Sequence, residues 1–80
     1  MTITVLTFGI TRDICGQRRF TLDLPEKTSS DALLAILQEK YPPLRQLSSL
    51  LVAVNESYAD PGHVLADGDE VALIPPVSGG

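Results

Sequence analysis

The last seven residues of the chain, Ile74 to Gly80, read IPPVSGG and combine two prolines with two glycines. Proline lacks a backbone N–H, so Pro75 and Pro76 should end a strand and favour an extended course away from the sheet. A glycine has no side chain, which lets such a segment enter a channel too narrow for larger residues. The tail is therefore either an inert, frayed end or a segment in which the carboxylate of Gly80 is the reactive group.

A carboxylate resists nucleophilic attack and must be activated before its carbon can react. The chain contains no Ser/His/Asp or Cys/His arrangement and no phosphate-binding loop that would supply activation. We expect an ATP-using partner to form an acyl-adenylate on Gly80, with Gly79, Ser78 and Val77 threading toward the partner's site. The five residues from Pro76 onward could span roughly 17 Å at ~3.4 Å per residue, while the folded body stays outside.

Several other side chains are of reactive types but lack a supporting pattern. Cys15 is the single cysteine and has no nearby base, which favours a structural role over a sulfur relay. His63 has no second histidine or cysteine at ligand spacing, which predicts an exposed loop residue and no metal site. The acidic run Asp67–Glu70 fits a glycine-centred turn better than a calcium loop. Arg12–Asp13 fits a solvated turn better than an interface pair.

Alternating apolar and polar residues predict four strands. Their predicted bounds are Ile3–Phe8, Arg18–Leu24, Leu50–Asn55 and Glu70–Pro75. The first two strands have a short connection and should form a hairpin. The loop between the last two strands contains glycine turn signals.

One helix is predicted between the second and third strands. Its apolar residues recur at helical spacing and are Leu33, Leu34, Ile36, Leu37 and Tyr41. Thr28 followed by Asp31 suggests the N-terminal cap, and Pro42–Pro43 should end the helix near Tyr41.

The resulting order, β-β-α-β-β, predicts an α+β domain in which one helix covers one face of a mixed sheet of four to five strands. This order resembles the β-grasp fold of ubiquitin, with residues 1–75 as the domain and residues 76–80 as a flexible tail. The residues that should face the helix are Ile3, Val5, Val71 and Leu73. The residues that should face away, toward solvent or a partner, are Phe8, Ala72 and Ile74.

Charge and hydropathy exclude several classes of function. The formal net charge is −4 and the six basic residues are scattered, which argues against binding to nucleic acid or to an anionic membrane. No apolar run approaches the ~20 residues that a membrane span requires. The beginning of the chain has no signal-peptide pattern, and the single cysteine fits a reducing compartment. We expect a cytoplasmic protein.

The sequence resembles the small subunit of molybdopterin synthase, a sulfur carrier, over nearly its whole length. The most specific stretch is LADGDEVALIPPVSGG, Leu65–Gly80, which matches the ending of that family almost residue for residue. Leu50–Tyr58, LLVAVNESY, is similar to the family's AVN strand and turn. Thr7–Gly16, TFGITRDICG, is a weaker match, with Gly9 where alanine is usual and Asp13 where glutamate is usual.

The resemblance implies a mechanism and a set of partners. An E1-like enzyme would use ATP to adenylate Gly80 and would install sulfur to give a thiocarboxylate. The tail would then insert into the large subunit, within a heterotetramer, and deliver sulfur to a cyclic pyranopterin monophosphate. The chain would catalyse nothing alone and would bind no cofactor or metal. By position, the partners would contact the exposed side chains of Phe8, Tyr58 and Ile74.

Three alternatives stay open at this point. The related carrier of thiamine-thiazole synthesis also ends in two glycines, but is usually shorter and lacks the PPVSGG approach. A ubiquitin-like protein modifier would join its tail to lysine side chains. A plain interaction domain would have an inert tail.

Overall fold

The structure is a computed structural model, and it describes residues 1–47, 49–60 and 62–75. Its strands and helices follow in chain order. They are β1 Thr2–Thr7, α1 Ile10–Cys15, β2 Arg19–Asp23, α2 Ser30–Lys40, a 3₁₀ turn Pro42–Gln46, β3 Leu51–Val54, β4 Ser57–Tyr58 and β5 Glu70–Ile74. No helix within the described ranges is long and apolar enough to span a membrane.

The strands form one mixed five-stranded sheet in the order β2-β1-β5-β3-β4. The first and last strands, β1 and β5, pair in parallel, with Val5 opposite Val71. The other neighbouring pairs are antiparallel. This sheet and its one long helix confirm the predicted α+β fold with a mixed sheet of four to five strands.

The core lies between the sheet and α2. The four residues predicted to face the helix, Ile3, Val5, Val71 and Leu73, are all completely buried. They share one apolar cluster with Leu33 and Leu37 of α2 and with Leu44 of the 3₁₀ turn. Alternation in the strands and helical spacing in α2 therefore meet in one core, as the sequence pattern predicts.

Two short elements differ from the expected order. The connection predicted as a plain hairpin contains α1, so Arg12, Asp13 and Cys15 are helical and do not lie in a turn or loop. Gly16 closes α1 in the left-handed region with φ 74°, and its N–H donates to the carbonyl of Arg12. The strand β4 has only two residues, which is too short to give an alternation signal.

The cap of α2 also differs from the prediction. The Ser29 hydroxyl, one residue after Thr28, accepts a hydrogen bond from the Ala32 amide at 3.1 Å. The Thr28 hydroxyl is engaged elsewhere and donates to the carbonyl of Pro25 at 2.7 Å. The helix ends at Lys40, directly before Tyr41, as the two prolines predict.

Most predicted strand ends are displaced by one residue. β1 stops at Thr7, so Phe8 lies just beyond it, and β2 and β3 each lose one residue at both ends. Asn55 leaves β3 because it adopts a positive φ of 49°. The last strand ends at Ile74, one residue before its predicted end at Pro75, because a proline cannot donate to the ladder.

Replacement of Leu33 by alanine should test the core. The side chain is completely buried, so its truncation should lower the free energy of unfolding by about 2–5 kcal/mol. That is a large share of the roughly 4–12 kcal/mol expected for a chain of this length. Leu51→Ala is the matched control because that side chain is 51% exposed, and it should cost less than about 1 kcal/mol. Urea unfolding measures both, and equal losses would contradict this placement of the core.

Candidate functional site

The C-terminal ends of the central strands β1 and β5 lie side by side. The two strands are parallel and Thr7 pairs with Leu73. Phe8, the residue after β1, therefore lies beside Ile74, the last residue of β5. Pro75 then continues from β5 and is the last residue that the structure describes. The base of the predicted tail is therefore beside Phe8.

Thr11 holds this junction together. Its side chain is completely buried, and its hydroxyl donates to the carbonyl of Phe8 at 2.7 Å while accepting from the Phe8 amide at 2.8 Å. The carbonyl of Leu73 lies 3.3 Å from the same oxygen as a second acceptor. One side chain thus links the end of β1, the start of α1 and the end of β5.

Gly9 lets the chain turn sharply at the same place. It has φ 52° and ψ −126°, a conformation that L side chains rarely adopt. A Cβ atom built on Gly9 would lie 3.5 Å from Cγ of Pro75, so this backbone already passes close to the base of the tail. The backbone conformation, and not a lack of space, therefore accounts for glycine at this position.

The sheet face opposite α2 is open and carries a groove. A single row crosses all five strands, because Leu6 pairs with both Arg19 and Ala72, and Ala53 pairs with both Ala72 and Tyr58. The two alanines lower the middle of this row and leave a depression of about 330 Å³. We call it the open-face groove; it is lined by Leu6, Phe8, Ala53, Glu56, Tyr58, Glu70, Ala72 and Ile74.

The walls of the open-face groove include large apolar side chains in contact with solvent. Phe8 is 48% exposed and Tyr58 is 73% exposed. Exposed apolar surface grouped in this way is typical of a protein-docking site. The structure thus brings together Phe8, Tyr58 and Ile74, the three residues predicted to contact partners, and it confirms that Phe8, Ala72 and Ile74 face away from the helix.

Sequence reasoning missed other walls of the groove. Leu6 shares the strand parity of Phe8, so the alternation of β1 could have identified it. Glu70 likewise shares the strand parity of Ala72 and Ile74, so the alternation of β5 could have identified it. Ala53 and Glu56 had no such signal. They enter the groove because of the pairing register of β3 with β5 and the turn after β3, which no local pattern specifies.

The predicted reactive tail falls largely outside the described residues. Pro76, Val77, Ser78, Gly79 and Gly80 lie beyond Pro75, so their predicted roles stay predictions. The structure places the point of departure of the tail: Pro75 is half-buried, beside Gly9 and one residue beyond the groove wall Ile74.

Cys15 is packed into the fold. Its side chain is only 7% exposed, on the inner side of α1. Burial raises the pKa of the Cys15 thiol, which disfavours the nucleophilic thiolate. The structural role predicted for this cysteine agrees with that environment, although the residue is helical.

The acidic run before β5 closes a turn. Asp69 accepts from the Ala66 amide at 2.8 Å and from the Asn55 side-chain amide at 3.0 Å, and Asp67 accepts from the Thr2 amide at 2.7 Å. Gly68 has φ 85°, as expected at the centre of such a turn. His63 lies in an exposed loop. Among the described residues, no three His, Cys, Asp or Glu side chains group as metal ligands.

Comparison with known proteins gives consistent matches over the whole chain. The model of the ThiS family matches residues 5–80. The molybdopterin synthase sulfur carrier subunit of Mycobacterium tuberculosis is 41% identical over 80 residues, which cover 98% of this chain and 96% of that protein. The chain belongs to the ThiS family and, within it, to the molybdopterin synthase sulfur carrier subunits.

Solved structures that this chain resembles show the same fold. The crystal structure of SAMP1, a small archaeal modifier protein from Haloferax volcanii, superposes with a TM-score of 0.85 at 28% identity and covers all of both chains. A protein–protein complex of subunits 1 and 2 of molybdopterin-converting factor from Helicobacter pylori contains a chain that matches with a TM-score of 0.70 at 33% identity, again over all of both chains. The fold is therefore the ubiquitin-like β-grasp.

The buried thiol gives a test that depends on pH. Because the pKa of Cys15 is raised in the folded chain, alkylation by iodoacetamide at pH 8 should be at least roughly tenfold slower than in urea-unfolded chain. The unfolded thiol ionises first, from about pH 8.5, so stability should fall as pH rises above that value toward the folded pKa. Intact-mass kinetics measure the first effect, and urea unfolding of wild type against Cys15→Ser measures the second. Equal alkylation rates in the two states would contradict the burial.

Proposed function

We propose that this chain is the sulfur carrier of molybdopterin synthase, with the carboxyl group of Gly80 as the attachment point of sulfur. The observation that carries the proposal is the full-length match to sulfur carrier subunits, which runs through Gly80. The open-face groove at the base of the tail supports it, because it supplies a surface on which a partner can hold the domain. On this proposal, residues 1–75 are the docking body and residues 76–80 the reactive arm.

The chemistry takes place in complexes with other proteins. An E1-like partner joins the Gly80 carboxylate to AMP from ATP and releases pyrophosphate. A sulfur donor then displaces AMP, which leaves a thiocarboxylate. In the large subunit this sulfur forms a bond to a carbon of the cyclic pyranopterin monophosphate as that carbon loses a bond to oxygen. Water then cleaves the acyl–sulfur bond and returns the carboxylate, so each delivery exchanges one oxygen of the pterin for one sulfur. Two deliveries complete a dithiolene. ATP belongs to the activating partner, and the chain holds no cofactor of its own.

Each part of this chain has a separate task in that sequence. The open-face groove is a shallow depression on the surface of the sheet, a shape that suits docking against another protein. Thr11 and Gly9 fix the position from which Pro75 leaves the sheet. Phe8, Tyr58 and Ile74 then meet the partner at the groove, which aligns the arm with the partner's active site. The reactions require no membrane, and a cytoplasmic location follows from the proposed pathway.

The sulfur-loading step can be measured directly. Incubation with the E1-like enzyme, ATP and a sulfur donor should exchange one oxygen of the chain for one sulfur, and fragmentation should map the change to Gly80. Deletion of Gly80 should abolish the exchange while leaving the urea midpoint unchanged, since the core lies within the domain. The proposal that Gly80 carries the sulfur is wrong if the truncated chain still supports molybdopterin formation, or if sulfur is found on Cys15.

The docking surface gives a second test. Phe8→Ala and Tyr58→Ala should each weaken binding to the large subunit by roughly 1–3 kcal/mol, because exposed aromatic side chains dominate such interfaces. Val64→Ala is the control, since Val64 is 55% exposed but does not line the open-face groove. Calorimetric titration of the three variants measures the losses. If Val64→Ala weakens binding as much as Phe8→Ala, the groove is not the docking surface.

A second candidate function is protein modification. It is favoured by the structural match to SAMP1, a small archaeal modifier protein, at 28% identity. In that case the activated Gly80 would form isopeptide bonds with lysine side chains. Because no lysine or arginine follows Arg45, tryptic digestion of cell extracts would leave residues 46–80 joined to the modified lysine, which mass spectrometry would detect. The carrier for thiamine-thiazole synthesis is the remaining relative with the same terminal chemistry. Loss of molybdoenzyme activity without thiamine dependence in a deletion strain would separate it from the main proposal.

A further inference from the structure

The open-face groove combines an apolar floor with acidic side chains at one end. Its floor is formed by Ala53 and Ala72, which pair directly across β3 and β5. Tyr58 forms a wall, since it pairs with Ala53 from the edge strand and is 73% exposed. The carboxylates of Glu56 and Glu70 complete the lining. An apolar trough that contains an aromatic ring and two carboxylates is chemically matched to a long side chain with a cationic head.

The two carboxylates have no other assigned role. Within residues 1–47, 49–60 and 62–75, neither Glu56 nor Glu70 has a side-chain hydrogen bond or an ion pair. The chain as a whole carries a net charge of −4, so a basic partner surface would also be attracted at long range. Charge complementarity thus selects a positively charged occupant.

The backbone around the groove keeps the two glutamates near each other. The Asn55 amide donates to the carbonyl of Glu70 at 2.8 Å, and the Glu70 amide donates to the side-chain oxygen of Asn55 at 3.0 Å. The turn that carries Glu56 is therefore fastened to the beginning of β5. Glu56 has φ 73°, a conformation in which glycine is strongly favoured in a hairpin turn. The backbone conformation of the turn therefore does not account for a glutamate at position 56.

We propose that the open-face groove binds an arginine or lysine side chain presented by the large subunit, with Glu56 and Glu70 pairing its cationic head. The apolar stem lies along Ala53 and Ala72, and the head contacts the ring of Tyr58. Arginine suits the site best because its planar guanidinium can stack on an aromatic ring while it bonds to a carboxylate. This inference rests on the proposed function and identifies the partner chemistry that the docking face selects.

Removal of one charge at a time tests the proposal. Glu56→Gln and Glu70→Gln should each weaken binding of the full chain to the large subunit roughly tenfold, and both should reduce the dependence of affinity on salt. Glu39→Gln is the matched control: it removes the same charge from an exposed position on α2, outside the groove. Its affinity should stay within about twofold of the wild type. Calorimetric titration at low and high salt measures all four proteins.

A further variant separates binding from folding. Glu56→Gly places the favoured residue in the turn, so the urea midpoint should stay the same or rise while affinity falls as in Glu56→Gln. The inference is overturned if Glu56→Gln and Glu70→Gln bind as Glu39→Gln does, or if Glu56→Gly keeps wild-type affinity. If the wild-type chain does not bind the large subunit at all, the proposed function fails as well. Wild-type binding with unchanged glutamate variants removes the inference alone.

Discussion

The parallel pairing of the first and last strands is the constraint on which the other features of this chain depend. Val5 and Val71 face each other across β1 and β5 and are completely buried beneath α2. Because the strands run in the same direction, Phe8 and Ile74 lie at the same end of these two central strands. The tail therefore begins beside the exposed aromatic side chain that we assign to docking. An antiparallel pairing would place those two residues at opposite ends.

The face of the sheet that packs against α2 stabilises the fold, and the opposite face is the one that we assign to partner recognition. Alternate residues of β1, β3 and β5 enter the core, and Leu6, Ala53 and Ala72, which lie between them, line the open-face groove. A chain of 80 residues has little interior to spare, and its core is occupied by aliphatic side chains. Such a small domain is therefore better suited to present a reactive end to an active site than to enclose one. The assignment of sulfur chemistry to Gly80, within a partner's pocket, agrees with that limit.

The sequence predicted the features that repeat with a regular period and missed those that depend on single contacts. Burial of Ile3, Val5, Val71 and Leu73 followed from alternation, and α2 followed from helical spacing. The six-residue α1 has too few turns for a periodic signal, and only Gly16 as a helix-terminating glycine could have indicated it. Ser29 and Thr28 are both capping types, and the choice between them depends on the bond from Thr28 to Pro25.

The candidate site shows the same division. Parity placed Phe8 and Ile74 on the open face, whereas Tyr58 was assigned only through resemblance because β4 is so short. Glu56 and Glu70 could not be predicted as neighbours, since the bonds between Asn55 and Glu70 bring them together across separate strands. The role of Thr11 in linking β1 to β5 could not be predicted either, because its partners Phe8 and Leu73 are distant from each other in the sequence.

The most direct test of the carrier function is to follow the sulfur atom itself. The chain can be loaded with isotopically labelled sulfur at Gly80 and mixed with the large subunit and cyclic pyranopterin monophosphate in a single turnover. We expect mass spectrometry to find the label in the pterin product and an ordinary carboxylate on Gly80. Label that stays on the chain, or a chain that becomes joined to lysine side chains, would contradict the function proposed for it.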